Sequence, residues 1–126
     1  MNNDTSKSII LVSQDATFVQ ETRAAFAASD NIELLVAAKQ VSDLRGELNG
    51  TDAAVAIVDL NAAGLEELET LQRIMRRLDG RMPVVVVMQE FDTSAVRMLM
   101  QMQIADFLVK PVSTADLVRS CIRAIK

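Results

Sequence analysis

The feature that most constrains the fold of this chain is an unbroken apolar segment, residues 53–58, which ends at the carboxylate of Asp59. A short apolar run without alternation is typical of a strand covered on both faces, as in the middle of a parallel sheet. A carboxylate at the carboxyl end of such a strand lies where open α/β sheets bind ligands. On this segment alone, the simpler interpretation of Asp59 as the first turn residue of the next loop is favoured.

Four further short apolar segments predict more strands, and the polar residues at the ends of three of them change the interpretation of Asp59. The four segments are residues 8–13, 32–36, 84–88 and 104–109. In the second of them Ile32, Leu34 and Val36 fall at alternate positions, which predicts a half-exposed strand at a sheet edge. Strands that alternate with helices favour a parallel sheet with helices on both faces. The sequence therefore predicts a three-layer α/β fold, a doubly wound five-stranded parallel sheet in the order 2-1-3-4-5.

Apolar residues at helical spacing predict a helix after each strand. The first four predicted helices cover residues 17–29, 41–48, 65–78 and 94–102. A last helix should begin after Ser113, which starts a pattern like a capping box. Cys121 lies on the apolar face of this last helix with Leu117 and Ile122, so we expect a buried structural thiol.

Length and composition indicate one domain, residues 8–126, preceded by a flexible polar tail of residues 1–7. The chain has no histidine, which excludes histidine-based catalysis and histidine metal ligation. Its single cysteine cannot form an internal disulfide, so a reduced, cytoplasmic location is expected.

Charge and hydropathy limit the kinds of partner. The net charge of -4 argues against a nucleic-acid-binding surface, which usually appears as a basic patch. No apolar run approaches the roughly 20 residues of a membrane span, and none near the N-terminus is long enough for a signal-peptide core. We therefore expect protein partners, with neither nucleic acid nor a membrane span.

Polar residues that suit phosphate and metal chemistry follow the predicted strands. Because the carboxyl ends of parallel strands share one sheet edge, that edge should receive Gln14, Asp15, Asp59, Met88 and Lys110. Two carboxylates and a backbone carbonyl form a set that Mg²⁺ binds, and a lysine suits a phosphoryl oxygen. A carboxylate can also be the nucleophile that forms an aspartyl phosphate. The alternative is a buried ion network of Asp15, Asp59 and Lys110 without a ligand.

This arrangement resembles the CheY-like receiver domain of two-component response regulators over residues 9–125. The resemblance implies that Asp59 is the phospho-acceptor and that Asp15 and Asp59 bind Mg²⁺ directly. It implies that the backbone carbonyl of Asn61 is a further ligand of the ion. The implied function is phosphorelay signal transduction with a histidine kinase as partner, and not an enzymatic activity.

The Lys-Pro pair after the fifth strand extends the resemblance. It implies that Lys110 contacts the phosphoryl group and that the bond between Lys110 and Pro111 is cis. Phe107, three positions before the lysine, matches the switch aromatic of the family.

The sequence also departs from the receiver pattern. Gln14 replaces the first of two acidic residues, which leaves it an outer-shell role toward the metal. Met88 stands where the family has serine or threonine, and the loop after Asp59 is shortened. The resemblance is therefore to an atypical receiver, or pseudo-receiver, with reduced Mg²⁺ affinity and weakened or lost phosphorylation switching.

Residues 58–68 and 105–112 carry a closer resemblance, to the N-terminal receiver-like domain of CpaE/TadZ-type pilus-assembly ATPases. It implies an alternative function, a phosphorylation-independent interaction and localisation module whose partners are the ATPase or pilus-assembly components. All four glycines are isolated, so the chain has no glycine-rich phosphate loop and ATP hydrolysis is not expected. A metal-dependent phosphatase of aspartate type is a more distant alternative, because a general acid or base is missing.

Methionines on the predicted helix of residues 94–102 suggest a contact surface. Met98 and Met102 stack at i and i+4, so Met100 must point elsewhere and at least one of the three should be exposed. In receivers this fourth helix, the fifth strand and the last helix form dimers. We therefore expect weak homodimerisation through this face.

Overall fold

The computed structural model describes residues 7–29, 31–60 and 64–125. Its strands are β1 (Lys7–Val12), β2 (Ile32–Ala37), β3 (Val55–Leu60), β4 (Val84–Met88) and β5 (Asp106–Val109). Its α-helices within these residues are α1 (Ala16–Phe26), α2 (Leu65–Leu78), α3 (Thr93–Gln101) and α4 (Thr114–Ile125). Residues 1–6 of the predicted tail lie outside the described residues, and Lys7 is the first residue of β1.

All neighbouring strands pair in parallel, and the sheet order is β2-β1-β3-β4-β5. The predicted fold class and strand order are thus confirmed. All six residues of β3 are buried, as its unbroken apolar sequence indicated. The exposed side chains of β2 alternate with partly buried ones because this strand forms an edge of the sheet.

Two apolar layers cover the sheet, one on each face. Side chains of Val58 and Leu60 pack on one face with Leu71 of α2 and Leu99 of α3. On the other face, Ile57 and its neighbours pack with α1 and α4. The strand residues alternate between the layers because successive side chains of a strand point to opposite faces. This double cover fixes the carboxyl edge of the sheet, where the polar residues lie.

Side chains at the helix ends explain where the helices begin. Asp15 and Asp92 accept hydrogen bonds from the backbone amides of Phe18 and Ala95 and so cap α1 and α3. Ser113 accepts from the amide of Asp116, as the capping pattern predicted. These caps place residues 13–15 and 110–113 as short connections at the carboxyl edge.

The predicted helix over residues 41–48 is wrong. Only Val41–Asp43 forms a single 3₁₀ turn, after which Leu44 is extended. Gly46 has φ +111, which a helix does not accommodate, and glycines at positions 46 and 50 weaken any helix here. Val41, Leu44 and Leu48 are all buried, so the apolar spacing identified the packing residues but not the conformation.

The start of β5 and the exposure of one residue of α4 also differ from the prediction. β5 begins at Asp106 rather than residue 104, because Gln103 adopts a left-handed φ of 63 that turns the chain after α3. Ile122 was predicted on the buried face of the last helix but is 49% exposed. It lies about 100° around the helix from Cys121, which is buried, so only one of the two can face the sheet.

Candidate functional site

Three polar side chains meet at the carboxyl edge of the sheet: Ser13, Asp59 and Lys110. The register of β1 against β3 places Ser13, the first residue after β1, beside Asp59. Lys110 follows β5, and its amide donates to the carbonyl of Met88 at 2.9 Å. Its long side chain then crosses the end of β4 to reach Asp59. The predicted convergence of Asp59 and Lys110 is present in the structure.

Asp59 is 1% exposed, and the two oxygens of its carboxylate differ in their contacts. Oδ2 accepts hydrogen bonds from Ser13 Oγ at 2.7 Å and from Lys110 Nζ at 3.0 Å. Oδ1 is buried and has no hydrogen-bond partner among the described residues. An unpaired buried acceptor is costly, so Oδ1 is the atom at which a cation or a reacting group would be stabilised.

Asp15 is the second carboxylate of the site and is partly exposed. Its Oδ2 accepts from Lys110 Nζ at 2.9 Å, and its Oδ1 accepts from the amide of Phe18 at 3.2 Å. These hydrogen bonds, first that from Lys110, lower the pKa of Asp15 below its ordinary value. Asp15 is therefore ionised at neutral pH while it also caps α1.

Lys110 bridges the two carboxylates. Burial by itself lowers the pKa of its amine, but the hydrogen bonds to Asp15 and Asp59 outweigh burial and raise the pKa above its ordinary value. Its Nζ also lies 4.7 Å from the centroid of the Phe18 ring, at cation–π distance. The amine is therefore charged at neutral pH and is held from three sides.

The carboxylates at this edge of the sheet offer oxygen ligands to Mg²⁺. Asp15 and Asp59 supply hard carboxylate oxygens, which this ion prefers, and Asp59 Oδ1 is an unpaired buried acceptor. However, Lys110 already holds one oxygen of each acid. Over the described ranges, no group of three acidic, histidine or cysteine residues could hold a metal ion. The carboxylate oxygens are of the kind that Mg²⁺ prefers, and the Lys110 amine competes with the ion for them.

The structure does not test the two other predicted contributors to the metal site, Asn61 and Gln14. Asn61, whose carbonyl was predicted as a ligand, lies outside the described residues. Gln14 is exposed beside Asp15 at the start of α1, and its outer-shell role stays a prediction.

The predicted switch residues lie next to the site on β4 and β5. Met88 is buried at the end of β4, and Phe107 is partly buried and packs against the same core layer. The Phe107 ring also lies 6.4 Å from the ring of Phe91, which is 60% exposed. Met88 brings no hydroxyl, and its thioether is only a weak acceptor. The surroundings of Phe107 on this side are therefore apolar.

The bond between Lys110 and Pro111 is cis, as the resemblance implied.

Sequence reasoning missed Ser13 and Phe18 as parts of the site. Ser13 could have been found, because the predicted order makes strands 1 and 3 neighbours and places the residues that follow them side by side. Phe18 was not assigned to the site, and only its packing under Lys110 shows its role.

Solved structures with the same fold include several receivers. A CheY-like receiver domain from Methanospirillum hungatei JF-1 has a TM-score of 0.81 at 18% identity, over 95% of this chain and 94% of that chain. A pilus assembly-related protein from Burkholderia pseudomallei K96243 has a TM-score of 0.81 at 16% identity, over 99% and 93% of the two chains. A pilus assembly protein, cpaE, from Burkholderia thailandensis E264 has a TM-score of 0.79 at 17% identity, over 94% and 97%.

At these identities the likeness shows the fold, which is that of the CheY-like class. The family follows from the sequence model of the response regulator receiver domain, which matches residues 9–121. This chain belongs to the response regulator receiver domain family.

A comparison with curated protein sequences gave no significant match. Among the described residues, no helix is long and apolar enough to cross a membrane.

Proposed function

We propose that this receiver domain accepts a phosphoryl group on Asp59 in a phosphorelay and that its conformational response to the modification is weak. The observation that carries the proposal is the asymmetry of the Asp59 carboxylate. Its Oδ2 is held by Ser13 and Lys110, while its buried Oδ1 has no partner among the described residues.

The proposed step is a transfer to Asp59 Oδ1. This oxygen attacks the phosphorus of a donor, a new O–P bond forms, and the bond between phosphorus and the leaving group breaks. Lys110 is suited to pair with a phosphoryl oxygen because its amine already lies 3.0 Å from Oδ2. The domain is modified once per molecule, so it acts as a signalling module and not as an enzyme.

Mg²⁺ is the proposed cofactor, and when bound it would neutralise charge on the phosphoryl oxygens. Asp15 and Asp59 would hold the ion, with the carbonyl of Asn61 as a further ligand and Gln14 in the outer shell. Lys110 occupies one oxygen of each carboxylate, and the acid count is low, so we expect reduced affinity.

One feature favours slow transfer and a second favours a weak conformational response. Asp59 Oδ1 is buried, so a donor reaches it only after local rearrangement, which slows the transfer. Met88 has no hydroxyl that a phosphoryl oxygen could attract. A ligand shifts an equilibrium between two states only by its differential affinity for them, so Phe107 receives little signal to move.

The proposed partners are proteins of the cytoplasm: a histidine kinase that supplies the phosphoryl group, and a second copy of the chain. The proposed contact face consists of α3, β5 and α4. Met100 of α3 is 61% exposed and Ile122 of α4 is 49% exposed. Exposed apolar side chains of this size suit a weak homodimer contact.

A second candidate function is a phosphorylation-independent interaction or localisation module of a pilus-assembly ATPase. It is favoured by one observation, that proteins named for pilus assembly are among the structural neighbours and match this chain over nearly its full length. In this case Asp15, Asp59 and Lys110 form an ion network that stabilises the fold.

Titration with beryllofluoride and Mg²⁺, followed by amide chemical shifts, tests the proposal. We expect shifts near Asp59 and Lys110 and small shifts near Phe107, with both lost in Asp59→Asn. No shift near Asp59 would favour the interaction module. Large shifts through Phe107 and α3 would show an ordinary switching receiver.

A further inference from the structure

We infer a second ligand site, remote from Asp59, that binds a small organic phosphate. It is a cavity of about 280 Å³ between the loop that follows the 3₁₀ turn and α2. Three arginines line it: Arg45 from the loop, and Arg73 and Arg77 from α2. No residue of the Asp59 site lines this cavity, so the inference is independent of the proposed function.

Helix geometry brings the positive charges together. Arg73 and Arg77 are four positions apart on α2 and so share one helix face, where like charges destabilise each other. Among the described residues, none of the three guanidinium groups lies within 4.0 Å of a carboxylate oxygen. Uncompensated positive charge at one cavity of a chain with net charge -4 indicates a place for an anion.

The carboxylate of Glu47, in the loop that lines the cavity, is already engaged by other groups. Glu47 pairs with Lys39 and accepts a hydrogen bond from the backbone amide of Arg45 at 2.6 Å. Neither of these contacts involves a guanidinium group. The three guanidinium groups therefore have no ion-pair partner among the described residues, which leaves room for an external anion.

The arginines keep donors for a ligand. Arg45 uses Nη1 on the carbonyls of Ser42 and Leu44, and Arg73 uses Nη2 on the hydroxyl of Thr70. A guanidinium has five N–H donors, so several remain on each group. The existing bonds orient the two side chains, and a planar guanidinium matches phosphate through two parallel hydrogen bonds. The arrangement thus fits a phosphate group, which can accept two parallel hydrogen bonds, better than a monatomic anion.

The cavity wall indicates the rest of the ligand. Leu44 and Leu48 are buried and Ile74 is partly buried, so the wall offers apolar contact. Asn49 also lines the cavity, and its Oδ1 atom is buried without a hydrogen-bond partner among the described residues. A compact body that is apolar or aromatic and carries one polar group matches this wall. A cavity of this size suits a small molecule rather than an extended polyanion.

The test uses phenyl phosphate and adenosine monophosphate as probes, with phenol and adenosine as their uncharged counterparts. Amide chemical shifts are followed during each titration. We expect both phosphates to shift the amides of residues 44–49 and 70–77, and the uncharged probes to leave them unchanged. Raising the salt concentration should weaken the binding, because exposed charges are screened.

Arg76 provides a matched control, because it is on the same helix but lines a different cavity. Arg73→Gln and Arg77→Gln should each weaken phenyl phosphate at least about tenfold, whereas Arg76→Gln should leave its affinity unchanged. Arg73→Lys should restore only part of the loss, since lysine cannot form the paired hydrogen bonds. Thermal unfolding of each variant checks that it is folded.

Three results would overturn the inference. The first is equal shifts from phenol and phenyl phosphate. The second is equal losses in Arg73→Gln and Arg76→Gln. The third is a response of these amides to an acidic polypeptide or to DNA but to neither small phosphate, which would make the patch a macromolecular contact.

Discussion

Ser13 and Asp59 are joined by a hydrogen bond of 2.7 Å between Oγ and Oδ2, and both side chains are buried. The Ser13 hydroxyl also accepts a hydrogen bond from the amide of Asp15 at 3.0 Å. A single hydroxyl therefore contacts the buried carboxylate and fixes the backbone of the other acid. This link joins the ends of β1 and β3 at the centre of the site.

Ser13→Ala should lower the free energy of unfolding by about 1–3 kcal/mol, because it removes a buried hydrogen bond to a charged group. Urea denaturation measures the change. Ser120→Ala is the control, since Ser120 makes a similar 2.7 Å bond to Asp106 at a less buried place away from the site. A larger loss in Ser120→Ala than in Ser13→Ala would contradict this account of the site.

Lys110→Met should lower the free energy of unfolding by roughly 3 kcal/mol at neutral pH, because it leaves the buried Asp59 carboxylate without its counter-charge. The pH dependence follows from the two pKa shifts. Lys110 has a raised pKa, so its contribution to the free energy of unfolding is full below pH 10.5. The contribution is lost as the pH rises through the higher pKa of the folded state.

The lowered pKa of Asp15 acts at the other end of the pH range. The contribution of Asp15 to the free energy of unfolding is full above pH 3.8. It is lost as the pH falls through the lower pKa of the folded state. The stability difference between the wild-type protein and Lys110→Met should therefore be level between these values and shrink outside them. Denaturation over a pH series measures it, and a difference that varies steeply near neutral pH would be inconsistent with these shifts.

Cys121 should resist alkylation in the folded protein. Burial, and then the charge of Asp106, raise the pKa of the thiol to about 12, so little thiolate exists at neutral pH. Labelling with iodoacetamide should proceed only in denaturant, at the rate of an exposed thiol. Fast labelling without denaturant would show that α4 opens readily from the sheet.

The fold was predictable because β1, β3 and β4 are short apolar runs. The polar residues that follow these strands come together because the carboxyl ends of parallel strands share one edge of the sheet. The conformation of the segment after Val41 was not predictable in the same way. Apolar residues at helical spacing indicate which side chains pack in the core, even where glycines prevent a helix. Asp59 and Lys110 were predicted as site residues from their positions after strands. Ser13 was overlooked because the predicted first strand includes it, and the residues assigned to the sheet edge begin at Gln14.

Met100→Glu should weaken self-association through the face of α3, β5 and α4, because it places a charge on the most exposed methionine of α3. Sedimentation at high protein concentration measures the association. Arg97→Glu on the same helix is the control, because it also adds a negative charge but removes no apolar contact. We expect it to weaken self-association less than Met100→Glu does. A strictly monomeric wild-type protein would contradict the predicted contact.

The central claim is that Asp59 accepts a phosphoryl group but responds weakly. Its most direct test is intact-mass measurement during incubation with acetyl phosphate and Mg²⁺, with Asp59→Asn as the control and the amide shifts of Phe107 recorded in parallel. We predict slow addition of one phosphoryl group, absent in Asp59→Asn, with little change at Phe107. Rapid stoichiometric addition with rearrangement of Phe107 and α3, or a complete lack of addition, would contradict the claim.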